Sequence, residues 1–340
     1  MKQVESYTAH KQEGILLNAN ECWHGLDREL TEKVIAALAE IPSNRYPDTS
    51  MHALLCAYAQ YAGLKEENLL AGNGSDQMLG YLIGTYLGKG RVLFTLDPDF
   101  SMYDYYASSY EADVRKYRTN ADGTWDVQDF INAAKEQNAG MIMFSNPNNP
   151  TGGYIPDEKI LSIVKECPDI PVVVDEAYIE FSGEKSVSAY CEQYDNLFVT
   201  RTLSKAFGIA AARVGFLCGK ASVMEKLKKD FVPYALNAYS QTIGRIVLEN
   251  SEKAADTIKE IMAEREKMYS LLKSLPELTV LESHANFLYC RSEKRSELLE
   301  ALQNKGIVIR SYRDETSFRI TIGNKEENGQ VAAVLKEVFQ

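Results

Sequence analysis

Four polar groups able to do chemistry sit directly behind short apolar runs. Tyr103 follows RVLFT (91–95), Asn149 lies in NPNNPTG (146–152), Asp175 closes PVVVD (171–175) ahead of Glu176-Ala177-Tyr178, and Lys205 lies in RTLSKAFG (201–208). A lysine buried beside another cation loses affinity for its proton, and the neutral amine is the form that attacks carbonyl carbon. A carboxylate that ends an all-valine run is costly unless a cation pairs with it. That cation is either a structural arginine or the protonated nitrogen of a bound ring. Each residue also has a plainer reading. A loop lysine is usually solvated, Asn-Pro-Thr-Gly is an ordinary turn sequence, and any one of 20 tyrosines is weak evidence.

AGNGSD (71–76) runs into an apolar helical stretch, 77–87. Glycines ahead of a helix free backbone N–H groups, and the helix N-terminus favours an anion. The run has neither the full dinucleotide glycine pattern nor the Lys-Ser/Thr ending of a P-loop. A helix cap by Ser75 or Asp76 explains it equally well. Together with Lys205 and Arg213 it is suited to cradle a single phosphate. The histidines (10, 24, 52 and 284) show no ligand spacing, so no metal is expected. No GxSxG elbow is present, which argues against a serine hydrolase.

The elements that must position these groups follow from the apolar pattern. Residues 91–95, 140–145, 171–175, 196–200 and 214–218 are short, rich in branched side chains and not alternating, as in strands covered on both faces. Helical segments lie between them, at 126–137 and, behind Pro156, at 157–167. Strand–helix alternation predicts an α/β domain with a mostly parallel sheet. Ligands of such sheets bind outside the carboxyl ends of the strands, so Asn149, Asp175, Tyr178 and Lys205 are expected to face one crevice. Beyond about residue 225 the texture changes. One long helical region, 238–275, precedes a strand-strand-helix-strand-strand-helix order. The organisation expected is an N-terminal arm (1–25), a large domain (26–230) and a smaller α+β domain (231–340).

The 340 residues carry 37 basic and 48 acidic side chains, a net charge of −11. That balance disfavours a nucleic-acid binder and leaves room for a local anion pocket. The six cysteines have no CxxC spacing, which excludes zinc-ribbon and thioredoxin-like readings and fits a reducing compartment. No apolar run approaches membrane-spanning length, and the N-terminal residues hold no apolar signal core. A cytoplasmic protein is expected.

Asn149-Pro-Thr-Gly152, Asp175-Glu-Ala-Tyr178, Ser204-Lys205-Ala-Phe-Gly208 and Arg213, in this order, resemble the fold-type-I aminotransferases that depend on pyridoxal 5′-phosphate. The similarity spans nearly the whole chain. Within the group, LNANE (17–21), RYPD (45–48), GNGSD (72–76), PNNPTG (147–152) and FRITIG (318–323) resemble the histidinol-phosphate aminotransferase branch. The resemblance implies that Lys205 holds the cofactor covalently and acts as the catalytic base. Asp175 would pair with the ring nitrogen, Asn149 and Tyr178 would bond the 3-oxygen, and Tyr103 would stack on the ring. Gly74, Ser75, Asp76, Thr202, Ser204 and Arg213 would surround the phosphate. Tyr46 would reach that phosphate from a second subunit, implying a homodimer. Arg319, with Asn20 and Arg310, would hold the substrate, and 2-oxoglutarate would accept the amino group from a small-molecule donor. Threonine-phosphate decarboxylation and aromatic amino-acid transamination are alternatives on the same scaffold. The chain departs from the family's usual pattern at Asn20-Glu-Cys-Trp-His-Gly25, where a Pro and a Tyr are common. Trp23 and His24 either reshape the substrate cover or are packed surface residues.

Overall fold

The computed structural model describes residues 13–340; His10 and the first part of the expected arm lie outside them. Twelve strands form two sheets. In chain order the strands are β1 (Ile15–Leu17), β2 (Leu69–Asn73), β3 (Val92–Asp97), β4 (Asp113–Arg118), β5 (Ala139–Ser145) and β6 (Val172–Asp175). The chain continues with β7 (Leu197–Thr202), β8 (Val214–Cys218), β9 (Thr279–Val280), β10 (Phe287–Arg291), β11 (Ile307–Ser311) and β12 (Ser317–Thr321). The larger sheet has the order β2-β8-β7-β6-β5-β3-β4. β3 through β7 pair in parallel with their neighbours, and β8 alone runs against both β2 and β7.

The continuous apolar runs follow from burial on both faces. Along β5, Ile142 and Phe144 face one core while Met141 and Met143 face the other. Val172 and Val174 of β6 likewise oppose Val173, and Val214 and Phe216 of β8 oppose Leu217. β4 is the exception, a charged strand (DVRKYR) at the sheet edge. Its charges protect an open edge and hid it from a search for apolar runs. Asp126 caps the helix Val127–Glu136 through the N–H of Asp129 at 2.9 Å.

The smaller sheet runs β1-β11-β12-β10-β9. Here two expectations need correction. The segment read as an arm contributes β1, which lies parallel to β11 with Ile15 opposite Ile307. Three residues are too few for a sequence signal, and only the partner strand makes them a strand. The long helix expected over 238–275 is two helices, Ala238–Glu249 and Glu252–Ser274. Asn250 breaks it by turning its side-chain amide back to the Ile246 carbonyl at 2.7 Å, an alternative to the helical ladder.

A buried ionic cluster fixes the corner behind Asp175. Arg201 of β7 meets Glu180 at 2.6 Å and Glu176 at 3.5 Å, and Glu176 also accepts the N–H of Val187 at 2.8 Å. Removing one partner from such a cluster leaves buried charge uncompensated. Arg201→Met is therefore expected to destabilise the cofactor-free protein by about 3–5 kcal/mol. A guanidinium titration checks this, and a loss below about 1 kcal/mol would mean that the cluster does not brace the fold.

Candidate active site

The carboxyl ends of β5, β6 and β7 deliver Asn149, Asp175 with Tyr178, and Lys205 to one crevice between the two sheets. Asp175 is 4% exposed. Its two oxygens accept the Thr200 hydroxyl at 2.9 Å and the Tyr103 hydroxyl at 3.1 Å. Among the described residues no cationic side chain pairs with it; Arg201, next to its partner Thr200 on β7, serves Glu176 and Glu180 instead. Burial pushes its carboxyl up to about 6, against the pull of its Thr200 and Tyr103 bonds.

Lys205 donates to the Ala19 carbonyl at 2.8 Å, and its amine stands 5.9 Å from the centre of the Tyr178 ring. Burial, followed by the charge of Arg319, brings its pKa down to about 8, with Glu21 and Asp76 opposing. Tyr178 is buried and accepts the Asn20 side-chain amide at 2.9 Å. Asn20 has a left-handed backbone (φ 55°) and is pinned by Thr321 at 3.0 Å and by Asn286 at 3.0 Å. The residues after β1 thus line the crevice from the side of the smaller sheet.

Asn149 accepts Arg319 at 2.5 Å, and Arg319 also donates to the Asn18 carbonyl at 2.8 Å. Arg319 is 7% exposed and its Nε–H has no partner. Arg310 stands directly across from it in the β11–β12 register, on the same sheet face. Two guanidinium groups so placed favour a substrate with an anionic group.

Gly74 precedes the helix Ser75–Tyr86 with φ +82°, and a Cβ there would lie 2.5 Å from the Arg213 guanidinium. A Cβ on Gly215 would lie 2.1 Å from the Ser75 nitrogen. Only glycines allow this approach. Arg213 pairs with Asp76 at 2.9 Å and donates to Ser204 Oγ at 3.3 Å, while Thr202 and Ser204 hydroxyls meet at 2.9 Å. A helix N-terminus, two hydroxyls and a guanidinium form a donor set suited to a phosphate. The Asp76 side chain orients Arg213 rather than facing an anion.

Tyr103 is 1% exposed and donates its hydroxyl to Asp175, bracing that carboxylate. Phe100, edge-on to Tyr103 at 5.5 Å, is the partly exposed aromatic beside it. Tyr46 is 81% exposed and stacks on Tyr234 at 4.7 Å, so in a single chain it does not join the crevice. Trp23 packs partly buried against the main core with its Nε1–H unpartnered, and His24 is exposed, edge-on to it at 5.2 Å.

Sequence reasoning did not find Thr200, Thr321, Asn286 or Asp99, whose roles depend on what crosses to them. It also passed over His52 and Cys56, one helical turn apart, which meet Glu66 on the surface with Nδ1–Oε2 2.9 Å and Sγ–Oε2 3.5 Å.

The arrangement fits pyridoxal phosphate on its own geometry: an unpaired buried carboxylate for the ring nitrogen, a low-pKa amine for the aldehyde, and a phosphate cradle. The Asp175 carboxyl keeps its proton more firmly in the folded chain than in the unfolded one. Its stabilising contribution is therefore full below about pH 4 and lost as pH rises through about 6. In the cofactor-free protein, the thermal midpoint of Asp175→Asn should gain on the wild type between about pH 4 and 7 and then level off. A pH-independent difference between the two would refute the raised value.

The family description "Aminotransferase class I and II" matches residues 12–335. A histidinol-phosphate aminotransferase of Clostridium novyi (strain NT) is 38% identical, with 98% of this chain and 96% of that protein covered. That of Clostridium kluyveri (strain ATCC 8527) is 33% identical, with coverage of 100% and 97%. Among solved structures, the histidinol-phosphate aminotransferase from Sinorhizobium meliloti in complex with pyridoxal-5′-phosphate superposes with a TM-score of 0.87 at 22% identity, covering 96% of this chain and 90% of that one. An L-threonine-O-3-phosphate decarboxylase from Porphyromonas gingivalis superposes with a TM-score of 0.81 at 23% identity, covering 95% and 98%. At such identities the likeness fixes the fold, which is fold type I, and does not choose between the two reactions. Sequence relationship over nearly the full length decides the family: the chain belongs to the class I and II aminotransferases.

Proposed function

We propose that the protein is a pyridoxal-phosphate-dependent histidinol-phosphate:2-oxoglutarate aminotransferase, cytoplasmic and homodimeric. The observation that carries the cofactor assignment is Asp175, a buried carboxylate with no cationic partner, in the same crevice as a lysine whose pKa is brought down to about 8. The donor assignment rests on the curated relatives and on the paired guanidinium groups of Arg310 and Arg319, which suit a phosphorylated substrate.

When bound, the cofactor supplies an electron sink for the bond broken at the donor's Cα. The chain's own residues do the rest. Asp175 would hold a proton on the ring nitrogen. Lys205 Nζ would hold the cofactor at rest; as a free amine it would take the proton from the donor's Cα and deliver it to the cofactor's former aldehyde carbon, and its lowered pKa keeps a useful neutral fraction near neutral pH. Tyr178 and Asn149 orient the 3-oxygen side. Ser204, Thr202, Arg213 and the N–H groups at Gly74–Asp76 anchor the phosphate. Arg319 holds the substrate's anion and keeps it oriented. Residues 26–230 form the cofactor-binding body and 231–340 the smaller one. Exposed Tyr46, Tyr234 and Val232 offer an apolar surface for a second copy, from which Tyr46 reaches the partner's phosphate cradle. No helix among the described residues is long and apolar enough to cross a membrane.

Titrating the loaded protein with histidinol phosphate, without a keto acid, should convert the visible absorbance band to the amine form of the cofactor. An unchanged band would sink the donor assignment and leave the enzyme class standing; carbon dioxide release from threonine phosphate would replace the reaction. Lys205→Ala should lower turnover by at least about a thousandfold with little change in thermal midpoint. Near-normal turnover would overturn the role of Lys205.

A further inference from the structure

The carboxyl ends of β3 and β5 are adjacent in the larger sheet. Asp99, just beyond β3, meets Ser145, the last residue of β5. The Asp99 carboxylate takes both the Oγ–H and the N–H of Ser145, the latter at 3.2 Å, and the N–H of Phe100 at 2.8 Å. Ser145 Oγ in turn accepts the N–H of Asn149 at 2.9 Å and the side-chain amide of Asn148 at 3.4 Å. A hydroxyl has one proton and two acceptor positions. With both acceptor positions filled, the Ser145 proton is committed to Asp99. The order of donation is therefore fixed: Asn149 N–H to Ser145, and Ser145 to Asp99. Asn149 then accepts Arg319 at 2.5 Å through its side chain.

We propose that Asp99 is a positioning residue: through Ser145 it fixes the turn that carries Asn149, and through Asn149 it sets the guanidinium of Arg319. The turn that holds Asp99 is itself tied to the same place, since the Pro98 carbonyl accepts Asn148 at 3.3 Å. A few residues on, Tyr103 of the same segment bonds Asp175. Asp99 thus links the carboxylate end of the crevice to its substrate end. Stability alone does not account for an acid at this position. Among the described residues no cation pairs with it, and burial, with the charge of Asp175 adding, pushes it up to about 8. Such a group weakens the fold on its own account. What it provides is two fixed acceptors for two buried donors of one serine.

The substrate part of this proposal rests on the aminotransferase reading; the coupling of Asp99 to Asn149 does not. Amide hydrogen exchange on the cofactor-free protein tests the coupling directly. Asp99→Ala should speed exchange across 145–149 by about tenfold, the effect of one buried hydrogen bond lost, and Asp99→Asn should restore part of the protection. Unchanged protection there overturns the proposal whatever the enzyme does. With the loaded enzyme, Asp99→Ala should raise KM for the amino donor about tenfold while kcat falls by less than about threefold. Adding Asn149→Ala should raise KM no further than Asn149→Ala alone, because both act along one path. A fall in thermal midpoint with wild-type KM, or fully additive effects of the two substitutions, would show a merely structural residue. A wild type inactive with every donor would defeat the aminotransferase reading while leaving the exchange result to decide this one.

Discussion

Asp175 is buried with no cation among the described residues paired to it, and the residues around it are arranged accordingly. Its two oxygens are held by neutral donors, Thr200 and Tyr103, which orient it without neutralising it. The cation that would ordinarily quench it, Arg201, is turned to the other side of the strand and occupied by Glu176 and Glu180. Alternation along β6 and β7 makes this possible. Successive residues point to opposite faces, so Asp175 and Glu176 can be neighbours in sequence and belong to different electrostatic environments. A carboxylate left in this state has its strongest interaction in reserve for a cationic ring.

Lys205 meets the complementary constraint. Its amine is wanted neutral, so it lies beside other positive charge, with Arg319 the largest influence after burial itself. Arg319 depresses the lysine, and on the proposed function the same charge would bind the substrate's anion. A substrate anion would reduce its effect on Lys205, so binding and proton affinity are linked in this crevice.

The larger sheet provides the floor and the smaller sheet the wall. Lys205 bonds the carbonyl of Ala19, Tyr178 accepts Asn20, and Arg319 bonds the carbonyl of Asn18. The three residues following β1 therefore touch the base, a ring-side hydroxyl and the substrate-side guanidinium. Within its sheet β1 pairs with β11 alone, and its Leu17 is buried in the main core. The position of the crevice's cover thus depends on a short strand at the edge of the smaller sheet.

The sequence by itself determined the class of chemistry. Lys205, Asp175 and Asn149 could be placed together from residue type and from their position behind buried strands, because strands covered on both faces leave a continuous apolar run and ligands gather at their carboxyl ends; their roles came from the resemblance to fold-type-I aminotransferases. The tertiary structure decided what short or polar segments do. β1 is a strand only because β11 accepts it, β4 hides under its charges, and β8 reverses direction, which no local pattern encodes. It also decided which partner each polar group takes. Tyr103 could be placed at the crevice from sequence, but only the folded chain brings its hydroxyl to Asp175. Asp99 could not be singled out at all, since its meaning lies in a serine 46 positions away. Periodicity reports burial, a property of each residue and its immediate neighbours; hydrogen-bond partnership across strands depends on distances that the chain acquires only when it folds.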